Sequence, residues 1–263
     1  MDDCTDFIIA IAREAGTFLR ARLNDKHVIN YKGEINIVTE EDRISEEMIT
    51  ARIRERYPDH DILAEESTRM PRGSKCRWII DPLDGTTNYA HGYPVFCVSI
   101  AFEKDSDIHA GVIYNPMLEE MFVAEKGKGA FLNGQKIAVS NTADLSRSLL
   151  ATGFPYDIRS DRNNNINYFN GMAKSAQAIR RAGSAALDMA YIAAGRFDGF
   201  WELKLMPWDT AAGWLLISES GGTVTDLFGG AFRLEAPHVL ATNGKIHHDM
   251  VELLKKIDGE TVS

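Results

Sequence analysis

Trp78-Ile79-Ile80-Asp81-Pro82-Leu83-Asp84-Gly85-Thr86-Thr87-Asn88 decides how this chain is read, because an apolar run leads straight into two carboxylates, a glycine and two hydroxyls. Trp78, Ile79 and Ile80 suit a buried strand. Pro82 is expected to stop that strand, leaving Asp81 and Asp84 close together at its exit. Gly85-Thr86-Thr87-Asn88 offers small residues with free backbone N–H groups at the start of a helix, which is anion-binding geometry. Carboxylates beside an anion site repel the anion unless divalent cations sit between them. The stretch therefore points to a metal-dependent phosphate site. Paired aspartates are also ordinary turn residues, so support has to come from the rest of the chain.

Just upstream the pattern repeats: Ile62-Leu63-Ala64 reads as a short strand that delivers Glu65-Glu66-Ser67 at its C-terminal end. Phe7, Ile8, Ile11, Ala12, Ala15, Phe18 and Leu19 recur at helical spacing and predict an amphipathic first helix. Tyr31-Lys32-Gly33-Glu34 reads as a turn, and its one basic side chain, Lys32, is either a solvated lysine or a cation near phosphate. The run Ile35 to Thr39 reads as strand. Thr39-Glu40-Glu41-Asp42 has the pattern of a capped helix start, and Tyr57-Pro58-Asp59 ends that helix.

Downstream, strands are expected over 95–102 and 111–114, joined antiparallel through Lys104-Asp105-Ser106-Asp107, with Met121–Ala124, Phe131-Leu132 and the Asn133-Gly134 turn continuing the meander. Gly127-Lys128-Gly129 precedes a hairpin signal and not a helix, which argues against a dinucleotide loop. The polar stretch Ser140–Arg162 divides the chain into halves 1–140 and 141–263. Leu149–Phe154 inside it reads as strand, so the halves are expected to share one core as a single domain, 1–263. A helix is expected from 163 through 178, then a short strand at Ile179-Arg180-Arg181. Gly183-Ser184-Ala185-Ala186 opens another helix, ended by Gly195. Phe200-Trp201-Glu202-Leu203 is strand-like with one acid, and Pro207-Trp208-Asp209 starts a helix of small residues with Asp209 as a candidate N-cap. The segments 223–226, 239–242 and 247–256 read as sheet edge and closing scaffold, with His247 and His248 on the surface.

The chain has 263 residues, 44% of them hydrophobic, enough for a sizeable core. A formal charge of -9 argues against direct binding of nucleic acid or anionic membranes. Cys4, Cys76 and Cys97 form no CxxC pair and read as buried free thiols of a reducing compartment. The acidic Met1-Asp2-Asp3 start and the lack of a long apolar run predict a cytoplasmic protein without a membrane span.

Asp81-Pro82-Leu83-Asp84-Gly85-Thr86-Thr87-Asn88 together with Trp208-Asp209-Thr210-Ala211-Ala212-Gly213 resembles the inositol monophosphatase family. Glu65-Glu66-Ser67 resembles its acidic motif, although Ala64 stands where glycine is usual, and the likeness runs from Lys32 to the closing strands. The residues alone give mixed α and β; the resemblance implies an α+β fold with αβαβα layers. It also implies that Glu65, Asp81, Asp84, Asp209 and the Leu83 carbonyl bind two or three Mg2+ ions. Thr86, bonded to Asp42, would orient the nucleophilic water with Glu65. Gly85 and Thr86 N–H groups would hold phosphate. Asp84, Gly183, Ser184, Ala185, Glu202 and Asp209 would meet the hydroxyls of the leaving polyol. Asn36 replaces an acid that some members carry for an outer metal.

The resemblance thus implies a Mg2+-dependent phosphomonoesterase for myo-inositol 1-phosphate and related sugar phosphates, homodimeric and inhibited by lithium. Fructose-1,6-bisphosphatase is the nearest alternative. A 3'-phosphoadenosine-5'-phosphate phosphatase fits less well, since nucleotide-type members carry Lys-Glu where Thr87-Asn88 stand. A regulatory role in transcription complexes, through a protein partner, is a reading of another class.

Overall fold

The computed structural model describes residues 3–67, 73–236 and 238–262; Met1 and Asp2, on which the acidic-start expectation partly rests, lie outside them. In chain order the first part forms α1 (Asp3–Arg22), β1 (Ile29–Tyr31), β2 (Ile37–Thr39), α2 (Glu40–Arg56), β3 (Asp61–Ala64), β4 (Cys76–Asp84), α3 (Thr86–Ala90), β5 (Cys97–Lys104), β6 (Asp107–Asn115), β7 (Glu120–Glu125), β8 (Gly129–Leu132) and β9 (Gln135–Lys136). The second forms β10 (Leu149–Thr152), α4 (Ile166–Ala173), β11 (Ala178–Arg180), α5 (Ala185–Ala193), β12 (Gly199–Leu203), α6 (Pro207–Glu219), β13 (Thr223–Thr225), β14 (His238–Thr242) and α7 (His247–Val262).

Two large sheets organise these elements, one of seven strands in the order β3-β4-β5-β6-β7-β8-β9 and one of five in the order β11-β10-β12-β14-β13, while β1 and β2 pair antiparallel as a separate two-stranded sheet. β3 runs parallel to β4, and the rest of the larger sheet is an antiparallel meander. Alternation along each strand sends side chains to opposite faces. Trp78 and Ile80 pack with Ile8, Ile11 and Leu19 of α1 and Ile49 and Ile53 of α2. Ile79 between them faces α5 and α6. In the second sheet Phe200 joins that same central cluster, while Trp201 and Leu203 pack with Tyr168 and Met172 of α4 and Met250 and Leu254 of α7. The result is five layers, α1/α2, sheet, α5/α6, sheet, α4/α7, the αβαβα arrangement. Burying a ring such as Trp78, with Phe7 5.9 Å and Phe102 5.0 Å away between centroids, stabilises by roughly 2–3 kcal/mol.

Local signals hold where they are chemically specific. Thr39 caps α2, its backbone N–H donating to Asp42 Oδ2 at 2.8 Å. Asn133 and Gly134 both have positive φ, 49° and 79°, as a tight hairpin turn requires.

Several expectations are corrected. Pro82 does not stop its strand: β4 continues to Asp84, with a pairing irregularity between Asp81 and Asp84 that absorbs the missing N–H. The helix after Asn163 ends at Ala173, because Ala178 pairs in parallel with Leu149 and belongs to β11. Tyr31 ends β1 and is not part of the following turn. β14 lies between β12 and β13, inside the sheet. His247 is half-buried, bonded to Thr225 Oγ1 and Thr242 Oγ1, both at 3.0 Å. Of the three free cysteines only Cys97 is buried. No helix among the described residues is long and apolar enough to cross a membrane.

Candidate active site

The backbone of Glu65, just past β3, is held against β4 by its N–H to Ile80 O at 3.2 Å. β4 itself ends in Asp81 and Asp84. The turn into α3 is possible only with glycine: Gly85 has φ 98°, and a Cβ there would lie 2.9 Å from Val95 O and 3.3 Å from Gly183 O. That contact brings the start of α3 against the start of α5. Asn88 clamps the two, its Nδ2 donating to Val95 O at 2.7 Å and to Ala182 O at 2.8 Å.

Asp84 is gripped from α5. Its Oδ2 accepts from the Ser184 hydroxyl at 2.6 Å and from Ala186 N–H at 2.7 Å. Asp209 is the third residue of α6 and not its cap; its Oδ2 accepts Met206 N–H at 2.6 Å, which reverses toward the helix start. Asp81 Oδ1 accepts Leu83 N–H at 3.0 Å. The Thr86 hydroxyl lies 2.8 Å from Asp42 Oδ1 and 3.0 Å from the Leu83 carbonyl. Lys32 reaches across from the loop after β1 to bond Glu65 Oε1 at 3.1 Å and Glu66 Oε1.

Four acids, Glu65, Asp81, Asp84 and Asp209, lie within electrostatic reach of one another. Burial, then repulsion from Glu65, Asp84 and Asp209, pushes the Asp81 carboxyl well above its ordinary value. Asp209 rises for the same reasons, burial first and Asp84 next. Asp84 is raised by burial despite the Ser184 and Ala186 donors that favour its charge. Burial takes Glu65 to about 7 although Lys32 opposes it. Glu202 is pushed to about 8 by burial, with Arg181 opposing and Asp84 adding. Burial raises Asp42 to about 6 against its threonine donors.

Such a cluster of like charges, Asp81 buried and Glu65, Asp84 and Asp209 half-buried, is a demand for cations. Hydrogen bonds fix one oxygen in each of Asp81, Asp84, Asp209 and Glu65, leaving the other for a ligand. This donor set is hard oxygen, suited to Mg2+ or a similar ion. Among the described residues no three His, Cys, Asp or Glu side chains close on a common point. In the same bonds Lys32 holds Glu65, and Asp209 is folded back toward the start of its own helix.

Sequence reasoning missed four residues here. The clamping role of Asn88 has no signal in its place within the motif. Asp188 in α5 is buried, its Oδ1 has no hydrogen-bond partner, and burial, Glu202 and Asp84 raise its carboxyl well above the ordinary value. Arg181 is the cation facing both Asp188 and Glu202. Tyr156 stands within electrostatic reach of all four clustered acids. A lone acid in the apolar pattern of α5 was the one available signal, for Asp188.

The family model described as "Inositol monophosphatase family" matches residues 1–258. Among curated relatives, the Nus factor SuhB of Pseudomonas aeruginosa is 42% identical over 252 residues, covering 93% of this chain and 93% of that protein. The inositol-1-monophosphatase of Synechocystis sp. is 46% identical over 220 residues, 83% of this chain and 77% of the relative. Among solved structures, the inositol monophosphatase from Anabaena superposes with a TM-score of 0.88 at 42% identity, covering 96% of this chain and 95% of that one. On these matches and this layered fold, the chain belongs to the inositol monophosphatase family, a family of metal-dependent phosphatases.

Proposed function

We propose that this protein is a Mg2+-dependent phosphomonoesterase acting on myo-inositol 1-phosphate and related polyol or sugar phosphates, by in-line attack of water and without a phosphoenzyme. The supporting observation is the cluster Glu65, Asp81, Asp84 and Asp209 beside the Thr86–Asp42 pair. Those four carboxylates and the Leu83 carbonyl would hold two or three Mg2+ ions. When bound, the ions supply charge neutralisation at the phosphate and at the leaving oxygen, and make water a better nucleophile.

The chain's own residues do the positioning. Thr86 has one hydroxyl proton, and giving it to Asp42 leaves the oxygen free to accept a hydrogen from the attacking water. Glu65 accepts the other hydrogen, so that a lone pair of the water faces phosphorus. Gly85 and Thr86 N–H groups hold the phosphate oxygens, and Lys32 meets the anion from the outer side. Asp84, Glu202 and Asp209, with the Gly183-Ser184-Ala185 turn, accept from and donate to the hydroxyls of the leaving polyol.

The test is phosphate release from myo-inositol 1-phosphate, fructose 1,6-bisphosphate and 3'-phosphoadenosine 5'-phosphate in parallel, with magnesium and with chelator. Preference for the inositol ester, lost with chelator, supports the reading; preference for fructose bisphosphate moves the protein to sugar metabolism; preference for the nucleotide overturns the polyol assignment. In this reading both halves act as one unit in a cytoplasmic homodimer inhibited by lithium. Light scattering and millimolar lithium in the same assay check the last two. The name Nus factor carried by the Pseudomonas aeruginosa relative favours a second reading, a protein partner in transcription complexes. Affinity capture at physiological salt that recovers no transcription protein would remove it.

A further inference from the structure

Metal and phosphate chemistry accounts for the acids of the site but not for the aromatic ring beside them. Tyr156 is 56% exposed, yet its phenol lies within electrostatic reach of Glu65, Asp209, Asp84 and Asp81. Its ring stands exposed beside the carboxylates that meet the polyol hydroxyls in the reading above, where a ligand held by those acids would come against it.

The loop that carries this ring is fixed on both sides. At its root Asn165 donates from Nδ2 to Gly153 O at 2.6 Å and Thr152 Oγ1 at 2.9 Å, while its Oδ1 accepts Trp201 Nε1 at 2.7 Å. At Gly153 the Glu202 carboxylate occupies the place a Cβ would take, so the loop leaves the sheet pressed against Glu202. Phe154 then packs on Phe169, ring centroids 5.6 Å apart. Beyond the ring, Asp157 and Asp161 both accept from Lys204 Nζ at 2.6 Å. Lys204 directly follows β12, the strand that carries Glu202. Arg159 reaches Glu34 at 2.6 Å on the loop that also carries Lys32. The loop that carries the ring is therefore anchored on both sides before any ligand arrives.

We propose that Tyr156 is a specificity-determining residue, its ring forming the apolar wall against which the face of a cyclic polyol packs while Asp84, Glu202 and Asp209 meet the hydroxyls at its rim. The proposal rests on the phosphatase reading above and deepens it. A cyclic polyol carries hydroxyls round its edge and C–H bonds on its faces, so acceptors at the rim and a flat apolar surface on one face recognise it together. An acyclic phosphomonoester has no such face to offer.

The experiment compares kcat/KM for myo-inositol 1-phosphate and glycerol 2-phosphate in the unmodified protein, Tyr156→Phe and Tyr156→Ala. In Tyr156→Ala the ring-to-acyclic ratio is expected to fall about tenfold, mostly through KM for the ring substrate. In Tyr156→Phe, which keeps the ring, it stays within about twofold. Equal proportional loss on both substrates, or a Phe variant as poor as the Ala variant, overturns the proposal. Lys204→Gln, which releases Asp157 and Asp161, is expected to lower the ratio by a smaller factor; an unchanged ratio contradicts positioning by the loop. An unmodified protein that hydrolyses neither ester refutes the phosphatase reading itself, which keeps the two failures apart.

Discussion

Replacing Asn88 by alanine removes the side chain that clamps the α3 turn to the α5 turn. The two bonds lost, to Val95 O at 2.7 Å and Ala182 O at 2.8 Å, contribute about 1 kcal/mol each, or about 2 kcal/mol together. Alanine's better helix propensity returns about 0.5 kcal/mol, leaving a net loss of about 1.5 kcal/mol. For a chain of this size that corresponds to a fall in Tm of about 3–6 °C. Catalysis should suffer as well, because the freed turn precedes Ser184 and Ala186, the groups that grip Asp84. Asn88→Asp keeps the volume but faces two carbonyls with carboxylate oxygens, so it is expected to be worse than alanine. Thermal unfolding followed by circular dichroism, and phosphate release at a temperature where every variant is folded, measure both effects. An Asn88→Ala protein that melts within about 1 °C of the unmodified one would refute the clamp.

The metal-free protein is expected to lose stability as pH rises from about 4 to about 8, because Asp42, Glu65 and Glu202 titrate at about 6, 7 and 8 when folded and near 4 when unfolded. A raised folded pKa gives stability that is complete below the unfolded value and lost through the folded one. Urea unfolding in chelator at pH 5 and pH 8 checks the sign, and greater stability at pH 8 would contradict it. Thr86→Val should lower kcat by about 10²- to 10⁴-fold while Mg2+ affinity holds, with Thr86→Ser restoring most of the rate; a Val variant of normal kcat would remove Thr86 from the mechanism. Asp188→Asn replaces a buried carboxyl whose Oδ1 has no hydrogen-bond partner by an uncharged amide of the same shape, removing the repulsion from Glu202 and Asp84 along with the attraction to Arg181, so its melting temperature at pH 8 should match or exceed that of the unmodified protein. Destabilisation by more than about 2 kcal/mol would mean that the attraction to Arg181 outweighs that repulsion.

Much of the site was legible because its signals are short-range. A strand feeding Asp81 and Asp84 into Gly85-Thr86, a capping box at Thr39 and Asp42, and an acid at the start of α6 each lie within about one turn of chain. Pro82 misled because a local rule, that proline stops a strand, was overridden by the bulge in its pairing with β5. The layers were not legible in the residues themselves: Trp78 and Ile79 point to different helix pairs, and nothing within the strand says which pair covers which face. That order came with the family resemblance. Tyr156 was invisible for a related reason, since a tyrosine in a polar, turn-rich stretch has no periodic neighbours and gains its meaning from Lys204 and Glu202, both more than forty residues away. Asp188 sat in an apolar helix pattern that gives no hint of the acids across from it.

The most direct test of the metal-phosphatase reading is phosphate release from myo-inositol 1-phosphate as Mg2+ is titrated into the unmodified protein and into Asp84→Asn. The expected result is Mg2+-dependent turnover in the first and almost none in the second at unchanged circular dichroism, because the substitution removes a ligand charge without changing volume. Full turnover by Asp84→Asn, or equal turnover by the unmodified protein in chelator, would contradict it.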